Sequence, residues 1–167
     1  MSRAFVKESD DDLVAGELPE RPVPAHANYV TPKGLELLQA RVRELSERHE
    51  QLKRDSDENS EARQKLREVD RDLRYFRAQL DRATVVDTAN QPREQAHFGA
   101  VVAIEDGEGG QQEFTIVGDD EADVSAGKIS WASPLGRAMI GAKVGDTVVW
   151  RRPAGEIEVC IVDIRYP

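Results

Sequence analysis

Four carboxylates fall within seven residues in the stretch Arg54-Asp55-Ser56-Asp57-Glu58-Asn59-Ser60-Glu61. Clustered carboxylate oxygens are hard ligands that suit Mg²⁺, an ion commonly held by one or two carboxylates, water and a substrate phosphate. A group with so few ligands of its own binds metal weakly, and would act by completing a site whose other ligands come from a partner. The same residues also suit a solvated turn, with acids at the start of a following helix where they complement its dipole. On the residues alone, both readings stand.

Whatever these acids do, the flanking sequence must position them. Thr31-Pro32 signals a helix start, with Thr31 as N-cap and Pro32 at the first helical position. Apolar residues follow at Leu35, Leu38, Val42, Leu45 and Leu52, with His49 in the remaining slot. A second run places Leu66, Val69, Leu73, Phe76, Leu80 and Ala83 in the same rhythm of threes and fours. Facing pairs in an antiparallel hairpin have a constant sum of residue numbers. Leu35/Ala83, Leu38/Leu80, Val42/Phe76, Leu45/Leu73, His49/Val69 and Leu52/Leu66 all sum to 118. The two runs therefore form one hairpin folded back near Asn59, with the acids at its tip. His49 reads as a polar seam position opposite Val69.

Charge divides the chain of 167 residues and net charge −9 into three parts. Residues 1–29 carry 3 basic and 6 acidic side chains, 30–87 carry 13 of each, and 88–167 carry 7 and 13. The middle part, the hairpin, has no Gly beyond Gly34 and no Pro beyond Pro32. The first part holds Ser9-Asp10-Asp11-Asp12 and three prolines with few apolar side chains, the composition of a flexible tail. An acidic balance argues against a general nucleic-acid coat, which needs surplus Lys and Arg. A lone Cys160 excludes an internal disulfide framework and any Cys-based zinc site, and fits a reducing compartment. With no long apolar run and no signal-peptide core near Met1, the expectation is a soluble, cytoplasmic monomer without membrane contact.

Residues 88–167 read as several short strands around one short helix. Strands are predicted over His97–Glu105, Gln112–Val117, Lys128–Trp131, Thr147–Arg151 and Glu156–Tyr166. Ser133-Pro134 opens a helix through about Ile140. This predicts a small antiparallel sheet wrapped on that helix. Asp119–Asp123 reads as a solvated acidic loop, since its spacing is not that of an EF-hand. Arg137, Arg151 and Arg152 are equally a basic patch or ordinary surface residues, and Trp131 and Trp150 are core or edge side chains. No phosphate loop, nucleophile elbow or His/Cys metal cluster is present.

Several stretches over residues 30–167 resemble one family. They are Ile116-Val117-Gly118-Asp119-Asp120-Glu121-Ala122-Asp123, Ile129-Ser130, Ser133-Pro134-Leu135-Gly136-Arg137-Ala138, Val144-Gly145-Asp146 and Pro153-Ala154-Gly155-Glu156. In this order they resemble the bacterial Gre transcript-cleavage factors, GreA and GreB. Leu66-Arg67-Glu68-Val69-Asp70 with Arg74-Tyr75 looks closer to GreB, and Asp55-Ser56-Asp57-Glu58-Asn59 resembles the family's Asp-x-x-Glu-Asn tip.

The resemblance implies an α+β chain: an amino-terminal antiparallel coiled coil and an FKBP-like carboxy-terminal domain. It implies an accessory factor, not itself an enzyme. The globular domain would dock on RNA polymerase, with Ser133, Pro134, Arg137, Asp120 and Glu121 on the docking surface. The coiled coil would enter the secondary channel. There Asp55 and Glu58 would help hold a shared Mg²⁺ that promotes hydrolysis of the 3′ end of backtracked nascent RNA. Two alternatives accompany it, a non-cleaving regulator of the same channel and an FKBP-like prolyl isomerase.

Overall fold

A computed structural model describes residues 18–167. A short strand β1 (Asn28–Val30) leads into two long helices, α1 (Pro32–Asp55) and α2 (Ser60–Arg82), and then into strand β2 (Ala83–Val85). Thr31 accepts a hydrogen bond from the Gly34 amide at 2.9 Å, capping α1 as its sequence predicts. Asn59 caps α2 by accepting from the amides of Glu61 and Ala62. The fold-back is therefore the three residues Ser56–Glu58, with Asn59 as the first residue after the bend.

The seam follows the arithmetic. Leu45, Val69 and Leu73 are buried in one cluster, with Val42, Leu52 and Phe76 packed against it. His49 is half-buried on this seam. Its Nε2 lies 2.8 Å from Asp70 Oδ1, so a carboxylate one residue along from Val69 satisfies the ring. At 1.5 Å per residue the rod is about 35 Å long.

The remaining strands form one sheet: β3 (Val101–Asp106), β4 (Gln111–Val117), β5 (Lys128–Ser130), β6 (Thr147–Arg152) and β7 (Gly155–Arg165), in the order β5-β4-β3-β7-β6. Helix α3 (Pro134–Met139) covers one face, capped by Ser133. Its Leu135 and Met139 pack with Val102, Ile104, Ile116, Ile129, Val159 and Ile161. The sheet is mixed, not antiparallel as expected. Residues 118–127 carry the chain back past β4, so β5 pairs with β4 in parallel, Ile116 beside Ile129. The first strand also starts later than predicted, because His97 to Ala100 form a turn before Val101.

The expected tail, residues 1–29, divides. Residues 1–17 lie outside the described residues. Leu18 to Ala27 run along α2, and Asn28–Val30 pairs with Ala83–Val85 as a parallel two-stranded ribbon at the hairpin base. Composition alone missed this because the segment is held by polar contacts to distant residues, not by an apolar pattern. Loop residue Gly118 closes against it: a Cβ there would stand 2.4 Å from the Tyr29 carbonyl oxygen. Backbone cannot yield as a side-chain tip does. Gly118→Ala is expected to destabilise the protein by about 2 kcal/mol or more, read by thermal melting.

Candidate functional site

The hairpin apex is where the sequence places its carboxylates, and the structure separates them by use. Glu61 pairs with Lys65 one helical turn away, at 2.5 Å. That hydrogen bond holds the Glu61 carboxyl below its ordinary range. Asp55, Asp57 and Glu58 are exposed, and among the described residues their carboxylates make no hydrogen bond or ion pair. Asp55 closes α1, and Glu58 sits in the bend just before the Asn59 cap. No group of three or more His, Cys, Asp or Glu side chains among the described residues is arranged to hold a metal. Oxygen donors of this kind fit Mg²⁺ in type but not in number, so they suit a site that a partner completes.

The five residues expected to dock lie at the opposite end and fall into two groups. Pro134 and Arg137 are exposed at the start of α3, where they line a shallow cleft of about 490 Å³ with Ala132, Ala138, Val149 and Arg151. Ser133 beside them is occupied, accepting from the Gly136 amide and donating to the Ser130 carbonyl at 2.6 Å. Next to this patch opens a cleft of about 870 Å³, walled by Phe114, Ile129, Leu135 and Trp150. The rings of Phe114 and Trp150 meet edge to face at 5.9 Å. Arg151 pairs with Glu156 at 3.1 Å, and Arg152 stands over the Trp150 ring.

Asp120 and Glu121 form the second group, and their carboxylates turn inward. Asp120 accepts from the Tyr75 hydroxyl at 2.9 Å and from Gln79 Nε2 at 2.8 Å. Glu121 accepts from the Thr31 hydroxyl at 2.6 Å, and its side chain is only 6% exposed. Asp119 bonds Ser130 and lies 2.5 Å from His26 Nε2. Of the stretch Asp119–Asp123 read as a solvated loop, Asp119–Glu121 form the joint between rod and sheet, while Ala122 and Asp123 are exposed as expected. Short carboxylates facing Tyr, Gln and Thr donors are hydrogen-bonded here in place of water.

Tyr75, Gln79 and Asn28, all buried, complete that joint. Asn28 Nδ2 donates to the Gln79 carbonyl at 2.7 Å, and Arg82 Nη1 donates to Gln79 Oε1 at 3.0 Å. The sequence gives no sign of this role because Tyr75 and Gln79 lie off the apolar stripe of α2 and their partners are distant in the chain. Burial first, and then the bond to Asp120, push the Tyr75 hydroxyl up to about 12. The neutral hydroxyl is the favoured form in the folded chain. Its stabilising effect is whole below the ordinary value of 10.0 and is lost as pH rises from there towards 12. An ultraviolet titration should show late transitions for Tyr75 and for Tyr166, whose hydroxyl burial also pushes up, and only that of Tyr75 should move down in Asp120→Asn.

Comparison with known proteins covers both the hairpin and the sheet domain. A family model described as "Transcription elongation factor, GreA/GreB, C-term" matches residues 91–166. A "Transcription elongation factor GreB" of Neisseria meningitidis serogroup A is 37% identical over 153 residues, spanning 83% of this chain and 94% of that protein. One of the same name from Pseudomonas aeruginosa is 35% identical over 159 residues, spanning 87% and 95%. A solved "Prokaryotic transcription elongation factor GreA/GreB" from Nitrosomonas europaea is 24% identical with TM-score 0.42, covering 84% of this chain and 99% of that one.

Proposed function

The chain belongs to the GreA/GreB family of transcription elongation factors, and on that premise we propose that it binds bacterial RNA polymerase and stimulates cleavage of backtracked RNA through Asp55 and Glu58. The observation that carries this reading is the state of the apex. Three carboxylates stand unpaired and exposed at the end of a rod whose 13 basic and 13 acidic side chains cancel. What sets the apex apart is that Asp55, Asp57 and Glu58 lie within four residues of one bend, each exposed and none in an ion pair among the described residues.

The division of labour is geometric. The sheet domain presents Pro134, Arg137 and the adjoining apolar cleft as its docking surface. The rod carries the acids about 35 Å away from the base of the hairpin, so the tip and the sheet domain act at separate places. Asp55 and Glu58 are the residues that would hold a shared Mg²⁺, with the polymerase supplying the other ligands. When bound, the ion supplies a Lewis acid and an activated water for phosphodiester hydrolysis. The chain's own contribution is to bring anionic oxygens to one place and hold them there.

The test is a cleavage assay on stalled, backtracked polymerase with Mg²⁺, comparing the wild type with variants at positions 55 and 58. Binding measured in parallel separates two outcomes. Stimulated RNA release that depends on both acids upholds the reading. Tight binding with no cleavage replaces it with a regulator that occupies the channel.

A further inference from the structure

The segment Leu18 to Ala27 grips two bodies at once. Glu20 forms a two-pronged pair with Arg74 on α2. The Arg21 guanidinium lies 4.0 Å over the Tyr75 ring and reaches Asp72 at 3.4 Å. Tyr75 in turn donates to Asp120 of the sheet domain. Five residues after Arg21, His26 lies against Asp119 and meets the Trp131 ring edge to face at 5.3 Å, both in the sheet domain. The His26 carbonyl accepts from Arg82 at the end of α2. The segment thus closes a ring of polar links around Gln79, joining itself, α2 and residues 119–120.

Such a ring matters because the rod is a lever. From Tyr75 to Ser60 is fifteen residues, or about 22 Å. A tilt of about 5° at the joint would move the tip by about 2 Å, and misplacement of reacting groups by about 1 Å costs on the order of a hundredfold in rate. Direct side-chain bonds between rod and sheet come from Tyr75, Gln79 and Thr31 to the neighbouring residues Asp120 and Glu121. Attachments so close together act as a pivot. The strap clamps both sides of it.

We propose that Arg21 and His26 are positioning residues for the hairpin tip: the strap they anchor sets the direction in which the rod leaves the sheet domain. The consequence for cleavage rests on the reading of Asp55 and Glu58 above, whereas the geometry does not.

The experiment measures the two separately. Spin labels at Ser60→Cys and Glu108→Cys, in a Cys160→Ser background, report tip-to-sheet distances by pulsed dipolar spectroscopy on the full chain. Arg21→Ala with His26→Ala should at least double the width of the distance distribution while circular dichroism stays unchanged. Arg21→Lys, which keeps a cation over Tyr75, should restore most of it. In the cleavage assay the double variant should lose about tenfold in maximal rate, with its half-saturating concentration within twofold of wild type. A distribution as narrow as wild type in the double variant, and in Glu20→Gln with Arg21→Ala should the first fold poorly, overturns the strap. A widened distribution with wild-type cleavage keeps the strap and removes the role of the tip.

Discussion

Asp55→Asn and Glu58→Gln are each expected to lower stimulated RNA cleavage by about a hundredfold, the loss typical when one preorganised contact to developing charge is removed. Both substitutions keep side-chain shape and remove only the anionic oxygen. Both residues are exposed and neither is itself a cap, so stability, read by melting, should move by no more than the few tenths of a kcal/mol that a charge beside a helix end contributes. Polymerase affinity should stay within twofold, because the proposed docking surface is about 35 Å distant. Asp57→Asn serves as the internal control. It removes an equal charge from the same exposed bend and should cost no more than a few-fold. Glu61→Gln loses only the pairing with Lys65 and should leave cleavage unchanged. The double variant Asp55→Asn with Glu58→Gln should be little worse than either single one, since ligands of one ion act as a unit. Equal losses at 55, 57 and 58 would mean that bulk negative charge, not two placed ligands, is what the tip contributes. Raising Mg²⁺ should partly rescue the single variants, through mass action on a weakened site.

The hairpin was legible because its signals are local and periodic. The constant sum of 118 needed only the apolar stripe, and the caps at Thr31 and Ser133 needed only the Pro that follows each of them. The apex acids were legible as a cluster, although nothing in their spacing separated Glu61, taken up by Lys65, from Asp55 and Glu58. The joint was not legible. Asn28 meets Gln79 across 51 positions, and Tyr75 meets Asp120 across 45. Polar contacts over such separations leave no period in the chain. Asp120 and Glu121 therefore gave no sign in the sequence of the bonds they make to the chain's own helices. The direction of β5 escaped for a related reason, since the return path of residues 118–127, and not the strand's composition, decides whether it runs with β4 or against it.

Those long-range contacts make Asp120→Ala the substitution with the largest expected effect on architecture. The carboxylate accepts from two donors, and both are enclosed: Tyr75 is 9% exposed and Gln79 is 1% exposed. The Oε1 and backbone carbonyl of Gln79 are held by Arg82 and Asn28, which keeps the side chain in place with its Nε2 facing the vacated position. Removing the acceptor leaves two buried donors without a bond, at about 1–3 kcal/mol each, or about 4 kcal/mol together. That energy is localised at the joint. The sheet core around Ile116, Val102 and Ile161 does not touch Asp120 and should keep its stability. Cost concentrated in one contact region favours local opening over global unfolding. Hydrogen exchange should accordingly quicken in the second half of α2, residues 118–121 and the β1–β2 ribbon, while β3, β4 and β7 stay protected. Asp120→Asn retains one acceptor oxygen and should lose roughly half as much. The Tyr75 phenol supplies the independent check: without the carboxylate, and with water admitted, its titration should fall back from about 12 towards 10.0. Unchanged exchange at α2 in Asp120→Ala would show that apolar packing, not this carboxylate, holds the rod to the sheet.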